Sequence, residues 1–188
     1  ESGDTLFIYG WEGTDDKNTL YTLDLNDPTA EVVKLFPVRD ASYEIIGDTV
    51  IRDDRSWFER LFGPKLKEPE TRYWIKTNKD APNGRVVSIN PEHPEPENWV
   101  EVIPESEHVL RGVSMVGDHL IVSHLADVKS VVNVHDLDGA FVREVSLPGI
   151  GTAYGFGGKS SDPETFYAFT GFSSPMTIHR YNVHTGNT

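Results

Sequence analysis

The stretch from Asp118 to Pro148, DHLIVSHLADVKSVVNVHDLDGAFVREVSLP, restricts this chain more than any other. It holds three runs rich in β-branched or aromatic residues: His119–His124, Ser130–Asp136 and Phe141–Leu147. Each is read as alternating apolar and polar side chains, the period of a strand. Short turn signals separate them, first Ala126-Asp127-Val128-Lys129 and then Asp138-Gly139, a dipeptide that favours a tight hairpin. Strands joined this closely must run antiparallel. A fourth run, Val109–Val116, leads in through Gly117-Asp118. The unit is a four-stranded antiparallel meander of about forty residues, the size of one β-propeller blade.

The same pattern recurs along the chain. Phe7–Gly10, Leu20–Leu25 and Val32–Phe36 read as strands, with a polar loop, Glu12 to Asn18, between the first two. Gly47-Asp48 resembles Gly117-Asp118 and is expected to open the next copy, continued by Tyr73–Thr77, Arg85–Ile89 and Trp99–Ile103. Thr152–Phe156, Thr165–Phe169 and Thr177–Asn182 supply the last. Asp4 and Asp48 lie 44 residues apart and Asp118 and Glu164 lie 46 apart, whereas Asp48 and Asp118 are separated by 70. The second copy therefore carries a surplus of about 25 residues over an ordinary blade period, placed at residues 51–72. Within it, Ser56-Trp57-Phe58-Glu59 is a capping box and Gly63-Pro64 a stop, which predicts a helix of about two turns over Ser56–Phe62.

The expected fold is all-β: a partial β-propeller of about four antiparallel four-stranded blades. The first and last are incomplete, and the second holds a short helical insertion. The repeats fall at about 4–41, 42–104, 109–148 and 152–188. The first lacks its lead-in strand and the last its fourth, so such a chain cannot readily close a ring on itself. Both termini read as cut, and the chain is expected to be part of a larger ring.

Composition narrows the function. The 188 residues carry 30 acidic against 17 basic side chains, a net charge of −13, with no basic stripe. Nucleic acid and anionic membrane are poor partners for such a surface. No cysteine is present, which removes disulfides and thiolate metal sites. A reducing compartment, most simply the cytoplasm, fits these features and the lack of a long apolar run.

The chemistry-bearing clusters are few. His119, His124 and His135 fall in one blade, but His119 and His124 have opposite strand parity and face opposite ways, so no metal site is expected. The glycines from Gly149 to Gly158 precede no helix and carry no lysine in phosphate-binding register, and they read as turns and bulges. Pro91 to Glu97 reads as a stiff acidic connector. The carboxylate pairs Asp15-Asp16 and Asp53-Asp54 read as solvated loop residues. A nucleophile elbow needs Gly-x-Ser-x-Gly on a strand-to-helix turn; Gly112-Val113-Ser114-Met115-Val116-Gly117 has the wrong spacing and sits in a strand. No catalytic triad is legible, and no cofactor is implied.

Several stretches together resemble the prolyl oligopeptidases, serine peptidases with a seven-bladed propeller over an α/β-hydrolase domain. They are Thr77-Asn78-Lys79-Asp80-Ala81-Pro82, Pro96-Glu97-Asn98-Trp99, Leu125 to Ser130, Asp136-Leu137-Asp138-Gly139, Leu147 to Thr152, and Phe169 to Pro175. The resemblance covers nearly the whole chain apart from residues 51–72. It implies the later half of the propeller, with the catalytic residues in a hydrolase domain of the same polypeptide and short proline-containing peptides as substrates. The propeller's implied role is to gate access to the active site and to line part of its cavity. Many members have Arg-Glu-Gly-Cys in the first loop, the cysteine lining the pocket; here Trp11 and Thr14 stand at the outer places of that motif, which makes them candidate substrate contacts. Peptide macrocyclisation uses the same acyl-enzyme, an amine replacing water as acceptor. The rival reading is a free-standing propeller that binds a protein or peptide partner, for which the Ser56–Phe62 helix is the candidate surface.

Overall fold

The computed structural model describes residues 4–51 and 70–188. Among the described residues, fourteen strands form four separate antiparallel sheets. The first sheet holds β1 (Thr5–Trp11), β2 (Asn18–Asp24) and β3 (Val33–Phe36). The second holds β4 (Tyr43–Ile51), β5 (Glu70–Thr77), β6 (Arg85–Ile89) and β7 (Val100–Ile103). The third is built from β8 (Val109–Val116), β9 (His119–Ala126), β10 (Lys129–Asp136) and β11 (Phe141–Glu144). The fourth comprises β12 (Gly151–Gly157), β13 (Glu164–Gly171) and β14 (Ser174–Asn182). Strands pair in chain order within every sheet, and β4, β8 and β12, which begin the last three sheets, lie near one another. The predicted helix at Ser56–Phe62 falls outside the described residues.

The core is divided into three slabs, each between neighbouring sheets. Leu20, Leu35 and Phe36 meet Tyr73, Ile75, Val87 and Ile89 between the first and second. Trp74, Val86, Val102 and Ile103 meet Leu110, Met115, Leu120 and Val122 between the second and third. Val116, Ile121, Val132 and Val134 meet Phe156, Tyr167, Phe169 and Tyr181 between the third and fourth. This corrects the simple alternation expected of the strands. Leu120-Ile121-Val122 and Tyr73-Trp74-Ile75 are buried without interruption, because odd and even positions face different neighbouring sheets rather than core and solvent. The outer strand β11 of the third sheet and β14 of the fourth are largely exposed along their lengths.

Two expected turns take a different form. Gly47-Asp48 does not open a hairpin: it lies inside β4, where Gly47 pairs with Trp74 and Asp48 with Tyr73. Gly117-Asp118 is a true two-residue turn, with φ of 58° and 56° and strand pairing resuming at Val116 and His119. Gly47 instead permits a close approach, since a Cβ there would sit 3.0 Å from the Met115 sulfur of the third sheet. The β4–β5 hairpin closes further on, with Ile51 paired to Glu70. Asp138-Gly139 belongs to a longer loop, in which Gly139 N donates to Asp136 O (3.1 Å) and Asp136 N to Ala140 O (3.0 Å). The Asp136 carboxylate accepts from the N–H groups of Asp138 and Ala140. Gly139, at φ 90°, is pressed against the Val102 backbone of the second sheet, where any Cβ would collide.

Each of β4, β8 and β12 carries a register shift against its partner, between Ile45 and Gly47, Leu110 and Gly112, and Gly155 and Gly157. Bulges of this kind bend a strand and increase its twist. In β12 the extra residue, Phe156, takes φ 62° and stacks on Tyr167 at 4.6 Å. The glycines flanking it thus serve a bulge, as their sequence context predicts.

Candidate functional site

The loop bearing the candidate residues hangs from a fixed rung. Trp11 pairs with Asn18 at the last rung of β1 and β2. Asn18 is buried and fastens this rung to the second sheet: its side-chain NH2 donates to Tyr43 O (2.9 Å) and its Oδ1 accepts from Tyr43 N (2.7 Å). Asn18 N also donates to Ala41 O at 3.1 Å. Within the loop, Asp15 N donates to Glu12 O (3.3 Å) and Lys17 N to the Asp15 carboxylate (3.1 Å). Glu12 forms an ion pair with Arg39.

Trp11 stacks on Tyr9 with centroids 5.3 Å apart and planes 16° from parallel, yet remains 61% exposed. Tyr9 is held in turn, its hydroxyl oxygen accepting from Ile45 N at 3.0 Å. Burial raises the Tyr9 pKa; the Ile45 bond opposes this and the Glu44 charge adds to it. The hydroxyl therefore stays protonated at neutral pH, and the indole rests on a fixed support.

Trp11 forms one wall of a cleft of about 340 Å3 at the ends of β1 and β5 and the start of β8. Asp15 and Asp16 line it from the β1–β2 loop, and Asn78 and Asn83 from the β5–β6 loop. The far wall is hydrogen-bonded throughout. Ser42 N donates to Asn78 Oδ1 (2.8 Å), Leu110 N to Asn83 O (2.8 Å) and Asn83 N to Glu105 Oε1 (2.6 Å). Lys76 also lines the cleft, but its ammonium is committed to Glu44 at 2.9 Å and to Arg111 O at 3.1 Å. Among the described residues neither Asp15 nor Asp16 has an ion-pair partner. Thr14 is exposed on the same loop, beside Gly13 at φ 60°, and is not among the lining residues.

The sequence reading singled out Trp11 and Thr14 and left Asp15 and Asp16 as solvated loop residues. The structure keeps the two acids exposed but turns them to the same cleft as Trp11. Asn78 and Asn83 were not singled out as site residues, since an asparagine beside Asp-Ala-Pro or before glycine is also an ordinary turn signal. Ser114 of the elbow-like stretch lies within β8, away from any strand-to-helix turn. His119 and His124 do face different neighbours: His119 meets His184, in the turn after β14, at 5.7 Å, and His124 shares a strand face with Leu120 and Val122 against the second sheet.

A second cleft, of about 330 Å3, lies on the outer side of the first and second sheets, walled by Phe36, Tyr43 and Trp99 with Pro94 and Pro96. Its aromatic faces are already used: Phe36 stacks on Tyr43 at 4.3 Å, and Trp99 meets both rings edge-on while donating to Pro94 O. At its end Asp40 binds Tyr43 OH and Lys79 Nζ, each at 2.6 Å. Partial burial opposes ionisation of Asp40, but these two hydrogen bonds prevail and lower its pKa.

Successive antiparallel meanders of three or four strands that share their core only with the preceding and following sheet define the β-propeller class, here as a run of four blades among the described residues. The chain belongs to the prolyl oligopeptidase family: residues 1–188 match the model of that family's N-terminal β-propeller domain. The prolyl endopeptidase of Elizabethkingia miricola is 37% identical over 113 residues, which are 60% of this chain and 16% of that protein. The prolyl endopeptidase of Dictyostelium discoideum is 26% identical over 158 residues, 78% of this chain and 21% of that protein. Among solved structures, one from a structural and mechanistic study of two prolyl endopeptidases superposes with a TM-score of 0.76 and 30% identity, over 98% of this chain and 24% of that one. The chain thus spans about a sixth to a quarter of the length of these relatives. No helix among the described residues is long and apolar enough to cross a membrane.

Proposed function

We propose that this chain is the substrate-gating part of a polypeptide that hydrolyses short peptides after proline, its catalytic serine, aspartate and histidine lying in an α/β-hydrolase domain of the same polypeptide. The observation that carries this reading is the match of all 188 residues to the propeller domain of one peptidase family. The relatives named prolyl endopeptidase, at up to 38% identity, support the bond specificity. Physically, a propeller over a serine nucleophile excludes bulk water and folded proteins while admitting a flexible peptide. The cleft beside Trp11 supplies substrate contact in this reading, with Thr14 a second candidate contact on the same loop. A cysteine-free acidic chain suits a cytoplasmic peptidase.

The test compares the whole polypeptide with residues 1–188 alone on a short chromogenic peptide carrying proline before the scissile bond. The whole protein is expected to turn it over and to leave a folded protein substrate intact, and the isolated chain is expected to be inactive. Cleavage by the isolated chain, or a whole protein inert towards prolyl peptides, overturns the reading.

A further inference from the structure

The cleft at Trp11 has a chemical character of its own. Its exposed wall is an indole whose orientation is fixed by stacking on Tyr9. Two carboxylates, Asp15 and Asp16, share that wall, and the one lysine of the cleft is neutralised by Glu44. An aromatic face attracts a cation that approaches it, and more strongly once the cation is partly desolvated in a concave site. Carboxylates a few residues along the same loop add charge-assisted hydrogen bonds. A planar guanidinium can use both at once, stacking on the ring and donating from its edge, whereas an ammonium can use them only as a point charge. The net charge of −13 on these 188 residues raises the local concentration of cations around this part of the polypeptide.

We propose that this cleft is a subsite for a basic side chain of the peptide substrate, arginine ahead of lysine, so that the protein prefers proline-containing peptides with a positive residue at one fixed distance from the scissile bond. The inference rests on the peptidase reading for its substrate class. Its geometry stands on Trp11, Asp15 and Asp16.

The experiment uses the whole polypeptide and a set of short prolyl peptides in which one residue at a time is arginine or its uncharged near-isostere citrulline. At one position arginine is expected to raise kcat/KM about tenfold over citrulline, mainly through KM, and the ratio should shrink in high salt. Replacing both exposed acids, Asp15→Asn with Asp16→Asn, should bring the ratio near one. Asp16→Lys should turn the preference towards a glutamate peptide. Trp11→Ala should weaken it several-fold, with Trp11→Phe retaining part. Calorimetric binding of the arginine and citrulline peptides is measured in parallel, and thermal melting confirms that each variant is folded. Turnover without any arginine preference in kinetics or binding overturns the subsite and leaves the peptidase reading standing. Selective binding of the arginine peptide, lost in the acid-free variant but with no hydrolysis of any peptide, sinks the peptidase reading and supports the site. A preference unchanged in the Asp15/Asp16 and Trp11 variants overturns the assignment to this cleft.

Discussion

Asn18 illustrates how one side chain joins two blades. Its amide reproduces on Tyr43 the donor and acceptor pattern of a strand neighbour, and it does so from a fully buried position. Ser130 takes a comparable part between the third and fourth sheets, its hydroxyl accepting from Ala153 N at 3.0 Å and lying 3.4 Å from Ala153 O. Removing the amide would strand the Tyr43 N–H and C=O, the costly half of any hydrogen-bond deletion. Asn18→Ala is expected to destabilise the protein by about 2 kcal/mol, read as a lowered urea midpoint at unchanged m-value. A loss within error of zero would show that water replaces the amide. The Trp11 rung would also loosen, because Asn18 is its partner. Tyr9, Trp11 and the two acids were visible in the sequence as residue types, but their convergence on one cleft depends on the β5–β6 loop of a different blade.

At the level of elements, stability resides in the slabs between sheets rather than within any sheet. His124 reports on one of them. It lies in β9 on the face that meets the second sheet, and burial holds its pKa below the ordinary 6.5, with the charges of His108 and His135 acting in the same direction. A histidine depressed in the folded state contributes full stability above pH 6.5 and loses it as pH falls towards the folded-state value, because the unfolded chain binds the proton first. The midpoint of thermal unfolding is therefore expected to drop between pH 7.5 and pH 5. His124→Gln should flatten part of that drop; an unchanged slope would assign the acid sensitivity to other groups. The two-residue turns at Gly117-Asp118 and Asp127-Val128 were legible from their position between strands. That Val128 accepts φ 61° at 88% exposure was not, since β-branched residues rarely enter that region.

On the scale of the whole molecule, the four blades leave two outer faces without a neighbour among the described residues, one on the first sheet, where Leu6 is exposed, and a more apolar one on the fourth. Ile121 and Val132 of the third sheet are buried against the fourth. The positions in matching register on the fourth sheet, Phe166 and Ile178, are 55% and 65% exposed. Met176 and Tyr154 lie nearby and touch through sulfur and hydroxyl at 3.0 Å. The face repeats the pattern that docks a blade elsewhere in the chain, and an apolar patch of this kind seeks cover. Residues 1–188 produced alone are expected to self-associate with rising concentration in sedimentation velocity, and Phe166→Lys with Ile178→Lys should restore the monomer. A chain that stays monomeric at every concentration would mean that the patch is tolerated in water.

The amino-acid sequence by itself determined the strands, their antiparallel pairing and the four-blade repeat, because period-two patterning and turn chemistry are local properties carried by adjacent residues. It also carried the family, through short stretches whose order persists along the chain. Tertiary structure alone decided which neighbour each strand face meets. Leu120 and Ile121 are equally apolar in sequence and go to opposite slabs. It decided as well that Gly47 makes room for Met115 instead of turning the chain, and that Trp11, Asp15 and Asp16 share a cleft with Asn78 and Asn83. Those outcomes depend on contacts between residues far apart in the chain, where packing volume and the register between blades, rather than local propensity, set the geometry.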